Sequence, residues 1–418
     1  MRRVDTAELR TRFAQALSAM YGAEVPAYKT LVEVAGQVNR EYLAASPGAD
    51  RLGSADRVSA ERHGAIRVGT ASELADVADL FAAFGMYPVG FYDLRDAAPP
   101  VPVVSTAFRP IDADELERNP FRVFTSMLAT SDGRFFEPHL RRRVRRFLSA
   151  RELFDPALIA EARRIAAHGG TTPERAAWFV DAAVAVFALR REPIDKIWYD
   201  QLARVSAVAA DIAGLPSTHI NHLTPRVLDI DELYRRMTAR GITMIDAIQG
   251  PPRWDGPDVL LRQTSFRALA EPRRFRHRDG SVTRGTLRVR FGEVEARGVA
   301  LTPKGRQRYD KAMAAADLAV DSTWQKAAES VWPQYFPATD AGLAADGLAF
   351  YRQGDPTRPI VYEDFLPRSA AGIFRSNLDS DTIAGGDSPD TRYNLDWMSG
   401  AIGHHIHNPY TLYEKAAQ

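Results

Sequence analysis

The sequence predicts an α+β fold made of two copies of one strand–helix–three-strand unit (βαβββ), with a helical region before them and a helical insert between them. Two observations favour this fold. The order of alternating and helical apolar patterns seen early in the chain returns after Gly214, and the segment between the two copies has helical spacing only. The 418 residues are also too many for one average domain.

The N-terminal region is expected to be helical, because Leu9, Phe13, Leu17 and Tyr21 recur every fourth position and form one apolar stripe. A Gly/Ser/Pro-rich stretch then interrupts the pattern. The predicted division of the chain is an N-terminal helical region 1–55, a first βαβββ module 56–136, a helical insert 137–215, a second βαβββ module 216–300 and a C-terminal region 301–418.

The first module begins with the alternating run "HGAIRVGT", which predicts a strand. The run "ASELADVADLFAAFG" predicts a helix with Ser72 as its N-cap and Gly85 as its stop. Three strand-like runs follow at 87–94, 101–108 and 122–128. The insert has several helical segments separated by Pro and Gly, and its basic run 141–146 is interpreted as a solvated helix face.

The second module repeats this order. "HINHLTPRVL" predicts a strand, "DIDELYRRMTARG" a helix, and "ITMIDAIQG", "VLLRQTSFRALA" and "GTLRVRFGEVEARG" three further strands. In the alignment His63 and Arg67 match His222 and Arg226, and "STAFRP" matches "QTSFRA". Because order, spacing and residue types agree together, we interpret the pattern as an internal duplication.

The aligned histidines predict a metal site. Alternate residues of a strand share a face, so two packed copies would place His63 opposite His222 across a pseudo-two-fold axis. Two imidazoles and one carboxylate form the facial triad of non-haem Fe(II) enzymes. The last predicted strand offers Glu293 or Glu295, and spacing alone leaves that choice open. His219 is expected on the other strand face with a structural role, although the sequence leaves open whether His219 or His222 is the metal ligand.

The composition excludes several classes of site and partner. The chain has no cysteine, which rules out disulfides and thiolate ligands. The formal net charge of +1 gives no electrostatic case for nucleic acid or a membrane surface as partner. With no signal-peptide pattern, the expected location is cytoplasmic. No role is assigned to His139, His168 and His277. His404, His405 and His407 are dense enough to suggest a metal site, but they have no matching position in the repeat and are interpreted as surface residues or as neighbours of the ligands.

Four segments carry a family resemblance: "ERHGAIRVGT", "HINHLTPRVLDID", "RFGEVEARGVALTPKGR" and "DFLPRSAAGIFRSNL". In this order they resemble the 2-oxoadipate dioxygenase/decarboxylase family of the vicinal oxygen chelate superfamily, over most of the chain. The resemblance implies duplicated vicinal-oxygen-chelate modules around a metal-bearing cleft. It also implies an Fe(II) enzyme that converts 2-oxoadipate and O2 to D-2-hydroxyglutarate and CO2, a step of bacterial lysine degradation.

The resemblance implies roles for individual residues. His63, His222 and Glu293 are the metal ligands, and no further catalytic residue is expected. Arg67 matches an arginine that binds a substrate carboxylate, although pairing with a structural acid is the alternative. Ser369 matches a substrate-contacting serine. Arg368 departs from the family's apolar residue at that position, and substrate choice depends on whether its guanidinium enters the pocket.

Two other functions remain open from the sequence. The same two histidines and glutamate serve other vicinal-oxygen-chelate enzymes, such as a Zn or Ni isomerase or an extradiol dioxygenase. A duplicated fold can also bind a small molecule without catalysis. The expected partners are a 2-oxo dicarboxylic acid and O2, and the sequence does not predict an oligomeric state.

Overall fold

The structure is a computed structural model that describes residues 3–46, 48–97, 100–318, 324–366 and 390–418. Its strands are β1 Val4–Asp5, β2 Arg62–Val68, β3 Tyr87–Asp93, β4 Val103–Arg109, β5 Arg122–Leu128, β6 Gly170–Thr171, β7 Ile194–Asp195, β8 Ile220–Pro225, β9 Leu261–Phe266, β10 Glu271–Arg276, β11 Val282–Leu287, β12 Gly292–Arg297, β13 Tyr351–Arg352 and β14 Asp355–Pro359.

The helices precede, separate and follow the two β-rich segments. They are α1 Thr6–Glu24, α2 Pro26–Ala45, α3 Ala55–Ala60, α4 Ala71–Ala82, α5 Ala113–Arg118, α6 Pro138–Ser149, α7 Pro156–His168, α8 Pro173–Val186, α9 Lys196–Ala203, α10 Ala207–Ala213, α11 Ile230–Ala239, α12 Pro303–Leu318, α13 Trp324–Tyr335, α14 Asp340–Ala345, α15 Leu395–Ile402 and α16 Pro409–Ala417. None of the described helices is both long and apolar enough to span a bilayer.

One sheet joins the two copies. It has the strand order β3-β4-β5-β2-β8, with β2 parallel to β5 and antiparallel to β8. A parallel bridge between Arg226 and Glu295 links the end of β8 to β12, and β12 pairs antiparallel with β9. The second copy therefore repeats the strand order and directions of the first, as the duplication predicts.

The pairing of β2 with β8 follows the predicted alignment of the copies. His63 lies opposite Thr224, and Ala65 lies opposite His222. Thr224 is two residues after His222, as Ala65 is two residues after His63. The pair His63–Thr224 is therefore equivalent to the pair His222–Ala65, as expected for two copies related by a pseudo-two-fold axis. The backbone register therefore places the two histidines on one face of adjacent strands.

Two predicted strands of the second copy were wrong. The segment 242–250 forms only isolated bridges, from Met244 to Phe266 and from Gln249 to Gln263, because it lies at the outer edge of β9. The segment 285–298 is two strands, since β11 pairs back on β10 as a hairpin before β12 begins. Most of the hairpin is exposed, and Phe275 and Leu287 are its buried apolar residues, so local alternation does not show where one strand ends and the next begins.

The start of α4 also differs from the prediction, because Thr70 and not Ser72 is the N-cap. The Thr70 hydroxyl accepts a hydrogen bond from the Glu73 amide at 3.1 Å, and the Glu73 carboxylate accepts one from the Thr70 amide at 3.2 Å. This reciprocal arrangement satisfies two amides that the helix itself leaves without partners.

The two faces of the sheet pack against different helices. The largest apolar cluster contains Ile66 and Val68 of β2 together with residues of α1, α2, α4, α7 and α8. The opposite face contributes Ala65 and Phe124 to a second cluster with α6, α9 and α10. A third cluster around Trp332 lies in the C-terminal region. The helical insert thus covers both faces of the sheet, and the division into five regions stays a prediction.

Candidate metal centre

Three side chains from three strands meet on the sheet face that carries His63. His63 lies on β2, His222 on β8 and Glu293 on β12, and one ligand atom from each lies within 4.8 Å of the others. His63 Nε2 is 3.3 Å from Glu293 Oε1, and His222 Nε2 is 3.6 Å from Glu293 Oε2. All three residues are buried. Both imidazoles therefore direct the same ring nitrogen towards one carboxylate.

The second nitrogen of each imidazole has its own polar neighbour. His63 Nδ1 is 3.2 Å from Glu295 Oε2, and His222 Nδ1 is 3.0 Å from the Thr224 hydroxyl. In metal sites such outer partners fix the orientation of the ring and leave the other nitrogen for the ion. Glu293 thus lies on the Nε2 side of both rings, whereas Glu295 lies behind His63.

His219 lies outside this cluster. Its Nε2 is 3.4 Å from Asp211 Oδ1 and 3.1 Å from Asn221 Nδ2. Burial lowers the pKa of His219 to about 4, although Asp211 opposes the shift. A neutral imidazole held between a carboxylate and an amide has a structural environment, in agreement with the strand-face argument.

A network of buried ion pairs holds Glu295. Its carboxylate accepts hydrogen bonds from Arg297 Nη2 at 3.0 Å and from Arg122 Nη2 at 3.2 Å. Arg122 also pairs with Glu61 and Glu363. Buried charges are tolerated when every charge has close partners of opposite sign, and removing one partner leaves the others uncompensated. Glu295 is therefore held in place independently of His63.

The electrostatics separate the two glutamates. Burial raises the pKa of Glu293, although His63 opposes the shift. Burial acts in the same direction on Glu295, but Arg297 and His63 outweigh it and hold the pKa of Glu295 well below its usual value. Burial and the nearby His63 lower the pKa of His222 well below its usual value. Glu295 is thus a stable buried anion, and together with Glu293 it raises the pKa of His63 against the effect of burial. Glu293, unlike Glu295, forms no ion pair with an arginine among the described residues.

These features fit a divalent metal ion. Neutral imidazole nitrogens and one carboxylate suit first-row transition metals, and this set is the 2-His-1-carboxylate triad of non-haem Fe(II) oxygenases. The raised pKa of Glu293 also fits, because a bound cation would supply the positive charge that its buried carboxylate lacks. The donor set does not by itself identify the metal.

The pseudo-symmetry leaves one side of the cluster without a ligand. His63 lies opposite Arg122 in the parallel pairing of β2 with β5. Arg226, four residues after His222, lies opposite Glu295 of β12. Counting back four residues from Glu295 gives the position equivalent to Arg122, so Glu293 is equivalent to Phe124. Phe124 packs against Phe365, with ring centroids 5.1 Å apart. Because a phenylalanine cannot coordinate a metal, the described side chains would occupy one face of an ion and leave the other open to exogenous ligands.

Aromatic rings flank both histidines. The Phe365 ring lies edge-on to His63 with centroids 5.0 Å apart, and the Phe291 ring stacks on His222 with centroids 4.9 Å apart. Apolar rings at this distance exclude water and restrict imidazole rotation. The sequence did not predict these rings, although Phe291 lies two residues before Glu293 and therefore on the same strand face.

Arg67 lies on the same strand as His63 and pairs through Nη1 with Asp211 of α10. Pairing with a structural acid, the alternative left open by the sequence, is therefore present. Proximity to Arg67 also contributes to the lowered pKa of His222, so the guanidinium lies near the cluster. Its predicted contact with a substrate carboxylate stays a prediction. Ser369 and Arg368 lie outside the described residues.

Two βαβββ copies that share a sheet and a buried cluster of two histidines and one glutamate define a duplicated α+β protein with a candidate metal site. A protein from Ralstonia eutropha assigned to the glyoxalase superfamily shares the fold, with a TM-score of 0.52, 20% identity, and coverage of 71% of this chain and 84% of that one. The profile of the 2-oxoadipate dioxygenase/decarboxylase family matches residues 13–377. The chain belongs to the 2-oxoadipate dioxygenase/decarboxylase family.

Two relatives illustrate this membership. A Mycobacterium tuberculosis protein named 2-oxoadipate dioxygenase/decarboxylase is 70% identical over 417 residues, which cover 100% of this chain and 98% of the relative. The crystal structure of the hydroxyglutarate synthase from Pseudomonas putida in complex with 2-oxoadipate has a TM-score of 0.84 and 36% identity, and the match covers 100% of this chain and 97% of that one. The chain is accordingly an oxygenase-type enzyme.

Proposed function

We propose that this enzyme uses Fe(II) to convert 2-oxoadipate and O2 into D-2-hydroxyglutarate and CO2. The observation that carries the proposal is the convergence of His63 Nε2, His222 Nε2 and the Glu293 carboxylate on one buried point, in a chain of this family. The reaction is balanced, since one carbon leaves as CO2 and the two atoms of O2 enter the products. The proposal includes a role in lysine degradation in the cytoplasm.

In this proposal His63, His222 and Glu293 hold the iron, which when bound would supply the redox chemistry that lets O2 react with a 2-oxo acid. Glu295 keeps the His63 ring oriented through Nδ1, and Thr224 does the same for His222. The substrate's keto and carboxylate oxygens would reach the open side next to Phe124. Phe365 and Phe291 keep bulk water away from the histidines.

Arg67 is the proposed partner of the substrate's distal carboxylate. Its planar guanidinium can bind a carboxylate through two parallel hydrogen bonds. In this proposal the pair with Asp211 orients the guanidinium, and the substrate carboxylate binds to the same guanidinium. Ser369 is proposed to contact the substrate as well, on the basis of the family resemblance, and the adjacent Arg368 is proposed to bind it in a departure from the family's apolar residue.

Oxygen uptake tests the proposal directly. Metal-free enzyme is loaded with Fe(II) or Zn(II) and mixed with 2-oxoadipate, 2-oxoglutarate or pyruvate in an oxygen electrode. We expect O2 uptake with Fe(II) and 2-oxoadipate, equimolar CO2 release, and D-2-hydroxyglutarate on chiral chromatography. Absence of uptake with iron would favour an isomerase or a non-catalytic binding protein, and uptake that does not depend on any of the 2-oxo acids would contradict a 2-oxo acid substrate.

A further inference from the structure

The β10–β11 hairpin concentrates positive charge. Of the 20 residues 271–290, seven are arginines, whereas only Glu271 and Asp279 are acidic. The whole chain has a formal net charge of +1, so this hairpin is more basic than the chain as a whole. None of these residues belongs to the candidate metal cluster, so the proposed reaction does not explain the charge.

The two acids of the hairpin are already paired elsewhere. Both carboxylate oxygens of Glu271 accept hydrogen bonds from Arg290 Nε, at 3.1 and 3.0 Å. Asp279 Oδ1 accepts hydrogen bonds from the amide and the hydroxyl of Ser281, at 3.0 and 2.7 Å. Glu271 also lies 3.8 Å from Arg273, but neither acid forms an ion pair with Arg274 or Arg284 among the described residues.

Two exposed arginines face each other across the hairpin. Arg274 lies directly opposite Arg284 in the antiparallel register, and no ion pair joins either of them to an acid among the described residues. Like charges directly opposite each other in a sheet are destabilising. A pair that weakens the hairpin in the free protein indicates a purpose other than stability, such as binding an anion.

These arginines line a cleft. Arg191, Arg273, Arg274 and Arg284 enclose, together with Pro272, a cavity of about 420 Å³. Its size falls within the range of small-ligand sites, which is roughly 300–1,000 Å³. The pKa of Arg273 is lowered, mainly by burial, with Arg290 and Arg191 acting in the same direction and Glu271 against it. Glu271 Oε1 lies 3.8 Å from Arg273 Nη2 and is shared with Arg290, so the four arginines of the cleft outnumber their acidic partners.

The cleft is also built on a rigid base. The Phe275 ring packs in an apolar cluster with Leu189, Ile194 and Leu287. Ile194 of β7 pairs in parallel with Phe275, which holds the segment containing Arg191 beside the hairpin. The four guanidinium groups are therefore carried by backbone whose positions are fixed relative to one another.

We propose that this arginine cleft binds a compact polyanion, either an oligophosphate or a tricarboxylate. Guanidinium groups form paired hydrogen bonds with both phosphate and carboxylate oxygens, so several of them at one point select a ligand of high charge density. Proteins that bind single-stranded nucleic acid combine an extended basic groove with aromatic rings. The cleft is compact and its lining has no aromatic residue, which favours a small polyanion over nucleic acid.

Calorimetric titration of the full chain with inorganic pyrophosphate, and separately with citrate, tests the proposal without metal or turnover. We expect saturable binding of at least one of them that weakens as salt is raised. Arg274→Glu should weaken it by more than about tenfold, because it replaces a donor by an anion. The matched control Arg278→Glu makes the same charge change in the hairpin turn outside the cleft, and should weaken binding by less than about threefold.

Thermal unfolding gives a second readout. Arg284→Thr removes the like-charge pair and introduces a residue favourable in strands, so it should raise the Tm of the free protein while weakening anion binding. Preference for pyrophosphate or for citrate would identify phosphate or carboxylate as the ligand chemistry. The proposal is overturned if neither anion binds, if Arg274→Glu and Arg278→Glu weaken binding equally, or if only an oligonucleotide binds.

Discussion

Glu295 lies 3.2 Å from His63 Nδ1, on the side of the imidazole opposite Glu293, which lies 3.3 Å from Nε2. Two glutamates separated by a single residue of β12 thus contact the two nitrogens of one histidine. Because Arg297 and Arg122 keep Glu295 ionised, it can accept a hydrogen bond from Nδ1 and leave Nε2 for a metal.

The first prediction follows from this contact. Glu295→Gln should lower metal affinity by about 10- to 100-fold, as is typical when an outer partner of a metal-binding histidine is lost. Anaerobic titration with Fe(II), or with Co(II) as a spectroscopic probe, measures the change. Glu61→Gln removes a charge from the same ion-pair network without touching His63, so it is the matched control. Equal losses in both variants would mean that the network's charge, and not the His63 contact, determines affinity.

The second prediction separates the two neighbouring histidines. His222→Ala should abolish stoichiometric metal binding, because His222 Nε2 faces Glu293. His219→Ala should retain the metal, since His219 faces Asp211 and Asn221 instead. Metal content after dialysis measures both outcomes. If His219→Ala lost the metal and His222→Ala retained it, His219 and not His222 would be the metal ligand.

The third prediction concerns Arg67. Arg67→Lys should keep the metal but lower kcat/KM for 2-oxoadipate, because lysine lacks the planar fork that pairs with a carboxylate. The expected decrease corresponds to a loss of ~2–5 kcal/mol of transition-state stabilisation. Asp211→Asn retains the guanidinium and should lower kcat/KM less, while lowering the free energy of unfolding through loss of a buried partner. If Arg67→Lys had the wild-type kcat/KM, Arg67 would have only a structural role, as the partner of Asp211.

The fourth prediction concerns the approach of β12 to the core. A Cβ at Gly292 would lie 1.8 Å from Cε1 of the buried Phe266 ring. Gly292→Ala should therefore lower the free energy of unfolding by ~1–3 kcal/mol, and weaken metal binding by shifting the adjacent Glu293. Gly400→Ala in α15, where a Cβ meets no atom within 4 Å, should be stabilising by roughly 0.5–1 kcal/mol. Denaturant unfolding measures both, and an unchanged Gly292→Ala protein would contradict the packing argument.

The fifth prediction is a pH dependence outside the metal centre. Hydrogen bonds from Arg175 and Arg164 lower the pKa of Glu161 to about 2. Its stabilising contribution should be fully present above the unfolded pKa of about 4.3, and should be lost as pH falls towards 2. The difference in unfolding free energy between the wild type and Glu161→Gln should therefore shrink over that interval. The exposed Glu174→Gln is the control, and a pH-independent difference for Glu161→Gln would contradict the assignment.

The sequence predicted the duplicated architecture because side-chain periodicity is a local property. Matching His63 with His222 also predicted that they share a face, and the register of β2 with β8 places them so. The extra hairpin and the bridged segment 242–250 were not predicted. Local alternation does not show which strand a segment pairs with, or whether it pairs along its full length.

The sequence by itself determined the two copies, the aligned histidines, the paired glutamates and the absence of cysteine. Only the tertiary structure decided that Glu293 faces both Nε2 atoms while Glu295 lies behind His63, and that Asp211 pairs with Arg67. The physical reason is that Glu293 and Glu295 share one strand face and the same local chemistry. Their different roles come from Arg122, Arg297 and the imidazoles, which other parts of the chain bring to them through the packed sheet.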